Sequence, residues 1–186
     1  MSRRHTSRAL LPNARLPLSS TEVLTTTGVL AAAAIALSAL ESGLPPLPIP
    51  GARLGLASLA SVSALAICGM PSALAVAVIK TVFVWLTRGV TAAMMTGAGT
   101  LLSLLVTAAL LPLMRRQLLS FVGVSVAGAA AHNLSQIGVA VWLLGSGVWY
   151  YLPLLLLAAA LCGTLTGLLL NAVLPRIIRS LIKRSD

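Results

Sequence analysis

Residues 117–175 contain no Asp, Glu, Lys or Arg. About 20 mostly apolar residues carry a helix across a bilayer, so an uncharged run of this length must enter, turn and return rather than cross once. The natural break is Gly145, Ser146 and Gly147, followed by Trp149, Tyr150 and Tyr151, aromatics suited to the headgroup level. The rest of the chain agrees. Hydrophobic residues make up 58% and charged residues 9%, against about 25% charged in a soluble domain, too few to coat a water-facing surface. A soluble enzyme and a disordered tail protein are both excluded. The net charge of +10, from 13 Lys and Arg against Glu22, Glu41 and Asp186, raises the question of nucleic acid. The placement of the cations favours a membrane instead.

Divided at Gly, Pro and aromatic breaks, the apolar sequence predicts an all-α integral membrane protein with six transmembrane helices, at about 22–43, 53–69, 71–88, 96–114, 122–145 and 151–175. Gly69, Met70 and Pro71 form a tight hairpin between the second and third, and residues 88–95 are expected as a loop. Residues 1–21 and 176–186 read as basic tails flanking the membrane domain at 22–175. The alternative is a cleaved signal peptide, with Ala36 and Ser38 as the small residues before the cut; the length of the run favours a retained span. Arg3, Arg4, Arg8 and Arg15 precede span one, Arg115 and Arg116 follow span four, and Arg176, Arg179, Lys183 and Arg184 follow span six. An even number of spans puts all of them on one side, which the positive-inside rule makes cytoplasmic together with both termini. The expected location is the cell membrane, multi-pass.

Polar groups inside the spans are the candidates for function, because a charge at bilayer depth is costly and usually faces a cavity or a partner. Lys80 lies near the middle of span three. Glu41 ends span one and can pair with Lys80 or with Arg53. Arg53, Lys80 and Arg88 against the one acid leave this half of the bundle net positive, which favours an anionic or phosphorylated ligand; snorkelling of Arg53 and Arg88 to the interface is the alternative. In span five, His132, Asn133, Ser135 and Gln136 cluster near the midplane, with His132 and Gln136 on one face that Ser125 and Gly128 continue. They either line a pocket or form an interhelical hydrogen-bond cluster. Ala32 and Ala36, or Ala34 and Ser38, form a small-residue stripe on span one, and Gly163 and Gly167 another on span six, each allowing a helix to approach closely.

Other chemistries lack their residues. No phosphate-cradling Gly-rich loop with Lys and Ser/Thr is present, the lone Asp186 offers no carboxylate site for magnesium, and His132 has no ligating neighbour in sequence. No metal site and no cofactor are expected in this chain. Cys68 and Cys162 lie in apolar runs as free thiols.

The ordered set of Glu41, prolines 45–50, Gly51-Ala52-Arg53-Leu54-Gly55-Leu56-Ala57, Ala131-His132-Asn133-Leu134-Ser135-Gln136, Tyr151-Leu152-Pro153 and Gly163-Thr164-Leu165-Thr166-Gly167 resembles the Gx transporter family, also called heptaprenyl diphosphate synthase component I. The likeness covers about residues 22–175. Two positions depart from the family pattern: Ser58 stands where Asn is usual, and Lys80 where Arg is expected, without the planar fork of Arg. The family is similar to the substrate-binding S components of energy-coupling factor transporters. That resemblance implies an S-component-like bundle, a lid over residues 44–54 with Glu41, Pro48, Pro50, Gly51 and Trp149 as lid or gate, and a pocket of Arg53, Lys80, His132, Asn133 and Gln136. It also implies docking of a transmembrane coupling subunit at Ala32 and Ala36, and cytoplasmic partner ATPases that hydrolyse ATP. The ligand class would be a small vitamin-like molecule or an isoprenoid or quinone precursor, taken from the outer side. The family's second name implies a different role, a non-catalytic membrane accessory to polyprenyl diphosphate synthesis. In neither role is the chain itself an enzyme, and neither involves nucleic acid.

Overall fold

The computed structural model describes the backbone of residues 19–43, 56–116 and 118–185, with side chains at all of these except 56, 57, 115, 144 and 173–185. Six α-helices follow one another: α1 (Ser20–Gly43), α2 (Leu56–Ile67), α3 (Met70–Arg88), α4 (Val90–Arg115), α5 (Phe121–Leu144) and α6 (Leu152–Ser185), with a 3₁₀ turn over Ser146–Tyr151 before α6. Among the described residues there is no strand.

Local chemistry sets the helix ends. Ser19 and Glu22 form a reciprocal cap on α1: the Glu22 carboxylate accepts from the Ser19 backbone N–H at 2.8 Å, and Ser19 Oγ accepts from the Glu22 N–H at 3.3 Å. Glu22 is thereby accounted for by helix initiation. Ser120 caps α5 in the simpler way, its hydroxyl accepting from the Gly123 N–H at 3.1 Å. The connections α2–α3, α3–α4 and α5–3₁₀ each turn on a glycine at positive φ, Gly69 (89°), Gly89 (85°) and Gly145 (93°). Gly89 corrects the expected loop at 88–95. One residue in a conformation that a Cβ disfavours reverses the chain, and α4 begins at once at Val90.

α1, α3, α4 and the helical segment Ser146–Ala172 are long and apolar enough to cross a bilayer. α2 is described over 12 residues, Leu56–Ile67, within the expected span, and residues 53–55 of that span lie outside the described residues. α5 has the length, at 24 residues, but His132, Asn133 and Gln136 dilute its hydrophobicity, and it packs most extensively against α4 and α6. The surface is apolar, with Leu86, Trp142 and Leu161 turned outward, as lipid contact requires.

Small residues hold the bundle together, as expected where lipid competes equally well for large apolar side chains. Ala31, Ala34, Ala60, Ala64, Ala73 and Ala77 join Leu30, Leu65 and Val76 in the core of α1, α2 and α3. Between α5 and α6 the approach is closer still. A Cβ on Gly163 would lie 2.7 Å from Val126 Cα, and one on Gly167 2.6 Å from Val122 Cα. The Gly163/Gly167 stripe therefore packs within the chain. The stripe on α1 divides: Ala34 and Ser38 are buried against the bundle, while Ala32 and Ala36 are exposed.

Candidate functional site

The longest-range consequence of this packing is a polar cavity inside the apolar bundle. Its wall takes Ser38 and Glu41 from α1, Ser58 from α2, Lys80 from α3, Thr96 and Ser103 from α4, Ser125, Ala129, His132 and Asn133 from α5, and Ala159, Cys162 and Thr166 from α6. All six helices contribute, so the cavity exists only in the assembled fold. Its free volume is about 40 Å³, room for a few water molecules.

Lys80 is 4% exposed, and Glu41 is half-buried in the last turns of α1. One acid and one base thus share a single wall, in surroundings where an isolated charge is costly. Arg88 is elsewhere, exposed in the last turn of α3. Of the cations expected here, Lys80 is in the wall, Arg88 is not, and Arg53 lies outside the described residues.

His132 fits because α4 carries Gly99 opposite it. A Cβ there would stand 2.8 Å from both Cε1 and Nδ1 of the imidazole. Gly128, one turn earlier on α5, likewise admits Thr107 and Ser103, whose hydroxyl oxygens would lie 2.9 and 3.2 Å from an added Cβ. Asn133 also lines the cavity and pins α5 to α6, its Nδ2 donating to the Leu155 carbonyl at 2.8 Å. Gln136 is buried at 3% exposure but is not in the wall, and its Oε1 has no hydrogen-bond partner among the described residues.

Trp149 stands in the 3₁₀ turn, half-exposed and away from the wall. Arg53, Pro48, Pro50 and Gly51, with the rest of the expected lid at 44–54, lie outside the described residues. Of the residues proposed from sequence, Lys80, His132, Asn133 and Glu41 are brought together. Ser58, noted as a departure from the family pattern, joins them with its hydroxyl.

Sequence reading missed the contribution of α4. Thr96, Thr100, Ser103 and Thr107 are all buried and recur at i, i+4, i+7 and i+11, one face of a helix. The spacing is visible in the sequence once the helix is known to begin at Val90. Thr96 is 2% exposed and lines the cavity, with its hydroxyl lacking a hydrogen-bond partner among the described residues. Cys162, read as a buried apolar thiol, also faces the cavity. Among the described residues no three His, Cys, Asp or Glu side chains gather to hold a metal ion.

A bundle of apolar helices, several of them long enough to cross a bilayer, around a cavity lined by polar side chains defines a helical membrane protein. The chain belongs to the family described as heptaprenyl diphosphate synthase component I, whose match covers residues 30–173. That span includes every cavity residue. No curated relative and no solved structure matches the chain.

Proposed function

We propose that the chain is a membrane-embedded substrate-binding subunit, S-component-like, that captures a small polar molecule from the outer side and works with a transmembrane coupling subunit and ATP-hydrolysing cytoplasmic partners. The observation that carries this reading is the cavity itself. Lys80, Glu41, His132 and the Thr96 hydroxyl, which has no hydrogen-bond partner among the described residues, converge inside a bundle of apolar helices, where polar side chains are retained at a cost and usually for a ligand. Lys80 and His132 would bind and orient the ligand, with Asn133 and Gln136 as hydrogen-bonding support. Arg53 remains a candidate from sequence. A free volume of about 40 Å³ is too small for a vitamin-sized molecule, so capture requires the helices to part. The exposed Ala32 and Ala36 supply a close-packing stripe for the coupling subunit. Both termini would then be cytoplasmic, and the chain itself would catalyse nothing and need no cofactor.

A second reading rests on the family's name: a non-catalytic membrane component that holds a soluble polyprenyl diphosphate synthase through basic residues such as Arg116. Native mass spectrometry of protein purified gently from its own membranes separates the two. A co-purified small molecule together with ATPase subunits, lost in Lys80→Ala and His132→Ala, supports the transporter subunit. A prenyl synthase subunit with no ligand supports the accessory role. Ligand retention unchanged in both variants removes the cavity assignment.

A further inference from the structure

The side chains around the internal cavity discriminate between ligand chemistries. The chain has three Trp, two Tyr and two Phe, and none of these seven residues lines the cavity. Trp85, Trp142, Trp149, Tyr150 and Tyr151 are exposed, and Phe83 and Phe121 are half-buried away from the wall. Residues 44–55, which include the expected lid, contain no aromatic in their sequence. A flat heteroaromatic ligand is normally held against aromatic side chains, and in this cavity it would meet none. Hydrocarbon contact is as sparse. Ala129 and Ala159 are the only purely hydrocarbon side chains among the described wall residues. A prenyl chain there would cover hydroxyls without bonding them, which is costly.

Hydroxyls dominate instead, from Ser38, Ser58, Thr96, Ser103, Ser125 and Thr166. Each hydroxyl can both donate and accept, so a ligand hydroxyl complements it. Thr96 is the most telling. Thr100, one turn later on α4, donates to the Thr96 carbonyl at 2.7 Å and is thereby satisfied within the helix. The hydroxyl of Thr96 itself is buried in the wall, in a residue 2% exposed, and has no hydrogen-bond partner among the described residues. Lys80 is the only Lys or Arg among the described wall residues. Its ammonium is a compact single charge, matched by one carboxylate, whereas a diphosphate would call for more positive charge.

We propose that the molecule held in this cavity is a small aliphatic hydroxy acid, its carboxylate at Lys80 and its hydroxyls on Thr96 and the neighbouring serines. The assignment rests on the substrate-capture reading and narrows it, setting aside heteroaromatic and prenyl ligands. Glu41, in the same wall, accepts from a ligand hydroxyl. A free volume of about 40 Å³ agrees, because a short acyclic molecule requires the least parting of the helices.

The test is thermal unfolding of the full chain in detergent, titrated with glycerate, tartrate and gluconate and with their hydroxyl-free counterparts propionate, succinate and hexanoate. Nicotinate and dimethylallyl phosphate stand for the aromatic and prenyl classes. A molecule that binds only the folded chain raises the midpoint as its concentration rises. At least one hydroxy acid stabilises saturably, at a concentration about tenfold below its hydroxyl-free counterpart, which leaves buried hydroxyls unpaired. Lys80→Met and the near-isosteric Thr96→Val each weaken that binding about tenfold, and Thr96→Ser retains it. If Lys80→Met does not fold, the contrast between Thr96→Val and Thr96→Ser carries the test. Nicotinate or dimethylallyl phosphate bound in preference, and lost in Lys80→Met, overturns the hydroxy acid and leaves the capture reading standing. Hydroxy acid binding that ignores both substitutions also overturns it. If no probe binds, the molecule that co-purifies from the native membrane decides. A hydroxy acid upholds the proposal, an aromatic or prenyl compound overturns the ligand class alone, and no molecule at all overturns the class and the capture reading together.

Discussion

Asn133 on α5 donates from Nδ2 to the carbonyl oxygen of Leu155 on α6 at 2.8 Å, a side chain to backbone bond between two helices at a buried position. It fixes the rotation of α5 and with it the direction of His132, the preceding residue. Interhelical hydrogen bonds in membranes are worth about 0.6 to 2 kcal/mol. Asn133→Ala is therefore expected to lower the unfolding free energy of the purified protein by that amount in a detergent titration, and an unchanged midpoint would show that the bond orients nothing.

The α5–α6 contact gives a sharper contrast. Gly163→Ala and Gly167→Ala each push a methyl group into the backbone of the facing helix, at 2.7 and 2.6 Å, and overpacking of this kind costs about 1–3 kcal/mol. Gly138→Ala meets nothing within 4 Å and should be neutral or stabilising by up to about 1 kcal/mol. Thermal unfolding of the three variants side by side reads the difference; equal midpoints would contradict the packing.

Lys80 and Glu41 share the cavity wall, so their removal should not be additive. Lys80→Met leaves a partly buried carboxylate, and Glu41→Gln leaves a buried ammonium. The double variant leaves neither. A double-mutant cycle on stability is expected to return a coupling of about 0.5–3 kcal/mol, the range for residues in one polar network. A coupling of zero would mean that the two charges are handled independently.

On α1, Ala34→Leu and Ala36→Leu separate the two faces. Ala34 has no exposed surface, and leucine there should destabilise the isolated chain. Ala36 is exposed, so the same substitution should leave its unfolding midpoint unchanged while weakening co-purification of a membrane partner. Retained partner and unaltered stability in Ala36→Leu would remove the outer face from consideration as a docking surface.

Much of the architecture was legible because lipid imposes it. The uncharged run at 117–175, the glycine and proline at the α2–α3 turn and the break at Gly145 are one-dimensional signals, and each is where the helices reverse. The loop expected at 88–95 was misplaced for a definite reason. One glycine at positive φ suffices to turn the chain, and the apolar residues after it then continue straight into a helix. The Gly163/Gly167 stripe was readable as a close-packing face because small residues at four-residue spacing can have little other effect.

What the sequence by itself determined is a chain of apolar helices with a few polar residues too costly to leave in lipid: Lys80, Glu41, His132, Asn133 and Gln136. Only the tertiary structure decided which of them meet. It placed Lys80, Glu41, His132 and Asn133 around one cavity and left Gln136 outside the wall and Arg88 at the surface. It also added the α4 hydroxyls and Cys162, and chose which face of α1 turns inward. The physical reason is rotation. A helix in lipid gains little from burying one apolar face over another, so its azimuth is set by where glycines let backbones close and where hydrogen bonds such as Asn133 to Leu155 can form, and both are properties of helix pairs rather than of any single segment.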